Sequence, residues 1–171
     1  MIGKKMENAI NDQINEEMYS SYLYLSMAAH FENVKLPGFA NWMRVQAKEE
    51  DFHAMKFYNY LISRGGVVKL KAIAAPGSEW KTPLSAFEAA YKHEQHITSR
   101  IAKLADIADS EKDRSAANLL QWYIDEQVEE ERNAENIVHK LKMVGDSKGS
   151  LFMLDKELGK RTFTPPAAGA P

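Results

Sequence analysis

The chain has 171 residues, enough to bury one sizeable core, and a formal net charge of −2 that gives no electrostatic reason to expect nucleic acid or an anionic membrane as partner. It contains no cysteine, which excludes disulfides, thiolate zinc sites, iron–sulfur clusters and cysteine nucleophiles, so any metal must sit on Glu, Asp or His. No stretch approaches the ~18 consecutive apolar residues of a membrane helix, and the lysines near Met1 are not followed by the apolar run of a secretory signal; a soluble cytoplasmic protein is expected.

Glycine and proline divide the chain. Stretches free of both run from Lys4 to Leu36, Phe39 to Arg64, Leu84 to Leu141 and Ser150 to Leu158. The first predicts a long helix with Met6, Ile10, Gln13, Glu17, Ser20, Tyr24, Ala28 and Phe31 on one stripe, ending at Leu36-Pro37-Gly38. A second apolar face, Ile14, Met18, Tyr22 and Leu25, is more than a monomeric bundle could hide and points to oligomerisation. The second stretch predicts a helix with Phe39, Met43, Gln46, Glu50, His53, Phe57 and Tyr60 on its stripe, stopped by Gly65-Gly66. Residues 66–83 hold Pro76-Gly77 and Thr82-Pro83 without helical period and read as a long crossover.

The third stretch has no breaker, but the polar run Asp109-Ser110-Glu111-Lys112-Asp113 suits a turn and splits it in two. Its first half carries Phe87, Ala90, Glu94, Ile97, Ile101, Leu104 and Ala108 in register; its second carries Ala116, Leu120, Tyr123, Gln127, Glu130, Ala134, Ile137 and Leu141. A short fifth helix follows Gly145-Asp146, and the Pro/Ala-rich tail 164–171 is expected to be disordered. Two hairpins joined by one crossover give an all-α fold, a four-helix bundle with ferritin-like connectivity. The expected domain is 1–163.

Glu17, Glu50, His53, Glu94, Gln127 and Glu130 fall on stripes that ought to be apolar. Burying ionised carboxylates without partners is costly, and the stripes bring no Lys or Arg to balance them; bound cations can. The spacing sharpens the case. Glu17 to Glu50 and Glu94 to Gln127 are both 33 residues, and an offset of 77 takes Glu17 to Glu94, Glu50 to Gln127 and His53 to Glu130. Each hairpin thus offers one group on its first helix and an i, i+3 pair on its second, the pattern of carboxylate-rich di-iron and di-manganese bundles. A single Glu-x-x-His, or a single seam Glu, is usually a surface pair or a register device. Six polar positions with matched offsets are not explained that way.

Tyr24 lies two turns beyond Glu17 and has two readings, a core aromatic whose hydroxyl finds an acceptor, or a neighbour bonded to a ligand carboxylate that can give up an electron. Glu49, Glu126 and Glu129 flank the seam residues and read either as a solvated acidic face or as a third, more exposed cation site.

The segments Gln13-Ile14-Asn15-Glu16-Glu17, Tyr19 through Ala28, Glu49-Glu50-Asp51-Phe52-His53-Ala54, Gln121-Trp122-Tyr123 and Glu126-Gln127-Val128-Glu129-Glu130 together resemble the prokaryotic non-haem ferritins, over roughly residues 4–166. The resemblance implies iron storage with ferroxidase activity, the oxidation of Fe(II) to Fe(III) by dioxygen or hydrogen peroxide. It implies that Glu17, Glu50 and His53 bind a first iron, that Glu50, Glu94 and Glu130 bind a second with Gln127 beside it, and that Glu49, Glu126, Glu129 and Glu130 form a third site. Tyr24, and with it Trp122, look like the family's aromatic neighbours of the centre. A homo-oligomeric cage of 24 subunits is implied as well. Haem is not expected, because Asp51 stands directly after Glu50 where haem-carrying relatives have Met. Two other functions fit a helical bundle: a di-iron oxygenase or peroxidase with an apolar substrate pocket beside the metals, and a purely structural bundle that binds no iron.

Overall fold

Five helices in the expected order fill the computed structural model, which describes residues 1–164: α1 (Lys4–Asn33), α2 (Pro37–Ser63), α3 (Pro83–Glu111), α4 (Arg114–Val144) and α5 (Lys148–Leu158). None of these helices is long and apolar enough to cross a membrane. Of the expected tail only exposed Thr164 is among the described residues; 165–171 lie outside them.

The boundaries differ from the breaker pattern for local reasons. Pro37 and Pro83 lie inside the first turns of α2 and α3, where a missing N–H costs nothing, so these helices begin at the prolines and not after them. Thr82 caps α3 through a reciprocal pair with Ser85, each side chain meeting the other's backbone N–H at 3.0 Å. α3 continues to Glu111, through most of the polar run assigned to the turn; the reversal occupies only Lys112, left-handed at φ 54°, and Asp113. Asp113 then caps α4 by accepting from Ala116 N at 3.0 Å and receives a two-pronged contact from Arg64 at 3.1 and 2.9 Å. That contact ties the end of α2 to the α3–α4 turn. Lys148 and Gly149 belong to α5, which Ser147 caps.

The crossover, residues 66–82, runs along α1. Asn11 grips it twice, donating to Val67 O at 2.9 Å and accepting from Lys69 N at 2.6 Å, and Ser26 donates to Gly77 O at 2.7 Å. α5 docks on the start of α2, where Leu36 supplies no side-chain cap. The Asp155 carboxylate takes its place, accepting from Gly38 N at 2.8 Å and Phe39 N at 3.1 Å. Only glycine fits at 38, since a Cβ there would meet Asp155 O at 1.7 Å.

The core is divided. One cluster holds Met27, Phe31, Phe39, Met43 and Phe87 and extends to Leu154 and Leu158 of α5; the other holds Met6, Ile10, Phe57, Leu61, Ile101, Leu104 and Leu120. At about 1.5–3 kcal/mol per buried large apolar side chain, either cluster can hold its end of the bundle together. That leaves the middle free for polar groups. Ile14 belongs to the second cluster and is fully buried, so it is not part of the oligomerisation face assigned to it from sequence; Met18 is half-buried, and only Tyr22 and Leu25 of that set are exposed.

Candidate metal centre

Between the two apolar clusters lies a buried polar layer of Glu17 and Ser20 from α1, Gln46, Glu50 and His53 from α2, Glu94 from α3, and Gln127 and Glu130 from α4. Helical periodicity puts them there: they follow one another along the buried stripe of each helix, with apolar residues filling that stripe toward both ends. Ligand-type atoms of Glu17, Glu50 and His53 all lie within 4.8 Å of one another. His53 Nδ1 is 3.4 Å from Glu50 Oε2. Gln46 Nε2 joins the second hairpin to this trio by donating to Glu50 Oε1 at 2.9 Å and Glu130 Oε2 at 2.8 Å. On the remaining side, Glu94 receives the Tyr24 hydroxyl on Oε1 and Gln127 Nε2 at 3.3 Å on Oε2. Glu17 Oε1 accepts from Gln13 at 2.9 Å, whereas Oε2 is buried with no partner at all. A buried oxygen left without a partner is expensive unless something else binds it.

The protonation pattern shows how four carboxyls coexist here. Burial first, then the charge of Glu50, pushes Glu17 up to about 8 and Glu130 up to about 8. Burial, then Glu50 and Glu130, lifts Glu94 well above the carboxylate range. Burial also works against a charge on Glu50, but the His53 bond and charge and the Gln46 N–H hold it below its usual value. Burial would lower His53, yet its bond to Glu50 and the Glu50 charge raise it to about 10. At neutral pH the metal-free layer is therefore one imidazolium–carboxylate pair among three neutral carboxyls. A metal entering it displaces protons.

Two glutamines organise this layer, and each is backed by an arginine. Arg100 Nε donates to Gln13 Oε1 at 3.0 Å, and Gln13 passes an N–H to Glu17. Arg161 donates to Gln46 Oε1 at 2.8 Å, and Gln46 gives both its N–H groups to Glu50 and Glu130. The sequence reading placed both glutamines on the stripes without giving them a role. A signal existed: each stands four residues before its Glu, and Gln13 to Gln46 is again 33 residues. Arg161 lies beyond the last helix, and nothing in its spacing points to the site.

The flanking acids gather on one side. Glu49, Glu126, Glu129 and Glu130 line a small cavity of about 110 Å³ together with His53 and Arg161. His53 Nε2 is 4.0 Å from Glu126 Oε2. Burial, opposed by Arg161, raises Glu49, and burial, opposed by His53, raises Glu126; Glu129 is exposed. Trp122 packs edge-on against His53 with ring centroids 5.4 Å apart.

The ferritin-like domain family matches residues 7–144. The bacterial non-heme ferritin of Bacteroides fragilis is 45% identical over 161 residues, covering 94% of this chain and 100% of that protein. The bacterial non-heme ferritin of Staphylococcus aureus is 39% identical over 163 residues, 95% of this chain and 98% of that protein. Among solved structures, an open pore ferritin from the archaeon Archaeoglobus fulgidus superposes with a TM-score of 0.94 at 53% identity, over 95% of this chain and 100% of that one.

Proposed function

Because this chain belongs to the ferritin family of iron-storage proteins, we propose that it oxidises Fe(II) at the buried carboxylate layer and keeps the ferric product inside a shell of its own subunits, 24 of them. The observation that carries this reading is the Glu17, Glu50 and His53 trio, whose ligand atoms converge within 4.8 Å while Glu17 Oε2 has no protein partner. Glu17, Glu50 and His53 bind one iron. Glu50 bridges to a second, completed by Glu94 and Glu130 with Gln127 alongside.

Two Fe(II) ions supply the two electrons that reduce dioxygen to hydrogen peroxide, or hydrogen peroxide to water, and the carboxylates stabilise the Fe(III) product by their charge. Glu17, Glu94, Glu130 and His53 give up protons as iron enters, and the reduced oxygen takes up protons. Tyr24, bonded to Glu94, stands ready to supply a further electron. Glu49, Glu126, Glu129 and Glu130 form a third, weaker site on the way out, with Trp122 beside it. Haem has no part in this scheme.

Cavity size favours an ion over an organic substrate. The cavity that His53 and Glu130 line, at about 110 Å³, is acidic and well below the ~300 Å³ of ordinary small-molecule pockets. A larger groove of about 550 Å³, between α3 and α4, is lined by Ile101, Ala105, Ile124 and Val128 and includes Gln127, but none of the proposed ligands opens into it.

Glu50→Ala tests the assignment, because one bridging group serves both metals. Stopped-flow oxidation of two Fe(II) per subunit should slow at least ~100-fold, with helix content unchanged. An initial rate near that of the parent would sink the di-iron assignment.

A further inference from the structure

Arg161 belongs to the segment 161–164 that follows α5, and it reaches back across α2. Its backbone is held, since Asn41 Nδ2 donates to Arg161 O at 3.0 Å and to Gly159 O at 3.3 Å, and Phe163 packs on Phe52 with centroids 6.3 Å apart. The side chain lies over the Trp42 ring at 4.3 Å. Its guanidinium then divides: one nitrogen donates to Gln46, and the other pairs directly with Glu49 Oε2. Both members of that pair are about four-fifths buried, so solvent screens the contact less than a surface pair. Among the described residues, Arg161 is also the one cationic side chain besides His53 that lines the acidic cavity bounded by Glu49, Glu126, Glu129 and Glu130.

A carboxylate cannot give its full charge to a guanidinium and to a metal ion at once. We propose that Arg161 is a tethered counter-ion that holds Glu49 in the metal-free protein and must be displaced for iron to bind among Glu49, Glu126, Glu129 and Glu130, so that it keeps this third site weak. The role rests on the third-site part of the function proposed above. The anchored backbone and the long flexible stem let the head group leave Glu49 while staying near Gln46 and Trp42. A weak third site suits a storage protein, because iron passes through it and is not retained. A clasp that merely fastened the end of α5 to α2 would make a different prediction: its loss would loosen the acidic cavity and weaken any metal there.

The test is anaerobic titration of the assembled protein with Fe(II), and in parallel with Zn(II), which undergoes no redox chemistry. Arg161→Gln removes the charge; Arg161→Met also removes it but keeps a stem against Trp42, so folding is preserved. In both variants the third equivalent should bind on the order of tenfold tighter than in the parent. Arg161→Lys, which keeps the charge, should stay within about threefold of the parent throughout. Equal or weaker third-equivalent binding in both neutral variants would overturn the role of Arg161 while leaving the third site standing. If neither the parent nor any variant binds a third equivalent, the third-site reading fails, and the counter-ion role with it. A parent that binds these metals but does not oxidise Fe(II) would count against the ferroxidase reading alone.

Discussion

Replacing Glu17 by Gln should make the metal-free protein more stable and a poorer iron binder. Glu17 is fully buried, its Oε2 has no partner, and burial with the Glu50 charge raises it from 4.5 to about 8. Between these values the folded protein keeps the proton and the unfolded chain has lost it. Stability therefore falls as pH rises through that window, and it is fully present only below about 4.5. At ~1.4 kcal/mol per pH unit, the ionisable side chain costs the fold about 3 kcal/mol at pH 7 and almost nothing at pH 4. A glutamine of the same shape never meets this cost.

Chemical unfolding of chelator-treated protein, followed by far-UV circular dichroism at fixed protein concentration, should show the variant about 3 kcal/mol more stable at pH 7 and level with the parent at pH 4. His53 adds a loss of the same sign between 6.5 and about 10. Because Glu50 is its main partner, that loss persists in both proteins and largely cancels from their difference. Excess divalent metal should invert the order, since ligand binding to the native state stabilises only the protein that can bind it. Equal stability at pH 7, or an unchanged pH slope, would refute the claim that Glu17 is a strained, metal-seeking carboxyl.

Two further outcomes follow from the surrounding residues. Combining Glu49→Ala, Glu126→Ala and Glu129→Ala should leave two tightly bound equivalents per subunit and abolish the weaker third; an unaltered stoichiometry in anaerobic titration would return these acids to the solvated face. Leu25→Glu should leave the bundle's stability within about 0.5 kcal/mol, because Leu25 is 48% exposed in the single chain. It should shift the assembly toward small oligomers that still oxidise a few irons per subunit but hold no mineral, whereas a shell of undiminished size by light scattering would show that Leu25 lies outside the subunit interfaces.

The fold was legible because the breakers and the apolar period agree almost everywhere. Where they misled, the cause is specific. Pro37 and Pro83 look like separators in a list of breakers, but they are first-turn residues, and the run from Asp109 to Asp113 looks like a loop although only its last two residues leave the helix. Ile14 sits beside Met18 on a helical wheel, yet it is buried in the cluster that holds Phe57, Leu61 and Ile101. The convergence of Glu17, Glu50 and His53 was legible from repeated offsets, which match the positions of one hairpin to those of the other. That match is incomplete. Adding 77 to Gln13 and Gln46 gives Ala90 and Tyr123, so the two organising glutamines have no counterparts in the second hairpin. Arg161 could not be found at all, because its contact with α2 depends on how α5 docks through Asp155 and Gly38.

The two arginines also bear on how the buried carboxyl layer is oriented while its oxygens stay open to the proposed metals. An arginine bonded directly to Glu17 or Glu50 would lock that carboxylate to a fixed cation, and it would compete with a metal for the same oxygens. Instead Arg100 and Arg161 stand one glutamine away. Each polarises an amide whose N–H groups face the carboxylates, so the layer gains orientation and some positive potential while neither arginine sits on an oxygen of Glu17, Glu50, Glu94 or Glu130. The outer cavity lacks this spacing, because Arg161 meets Glu49 head-on. By the same electrostatics, the deep pair of sites should bind iron tightly and the outer one loosely. On the proposal made for Arg161, one side chain would set that difference in affinity between the deep layer and the outer cavity.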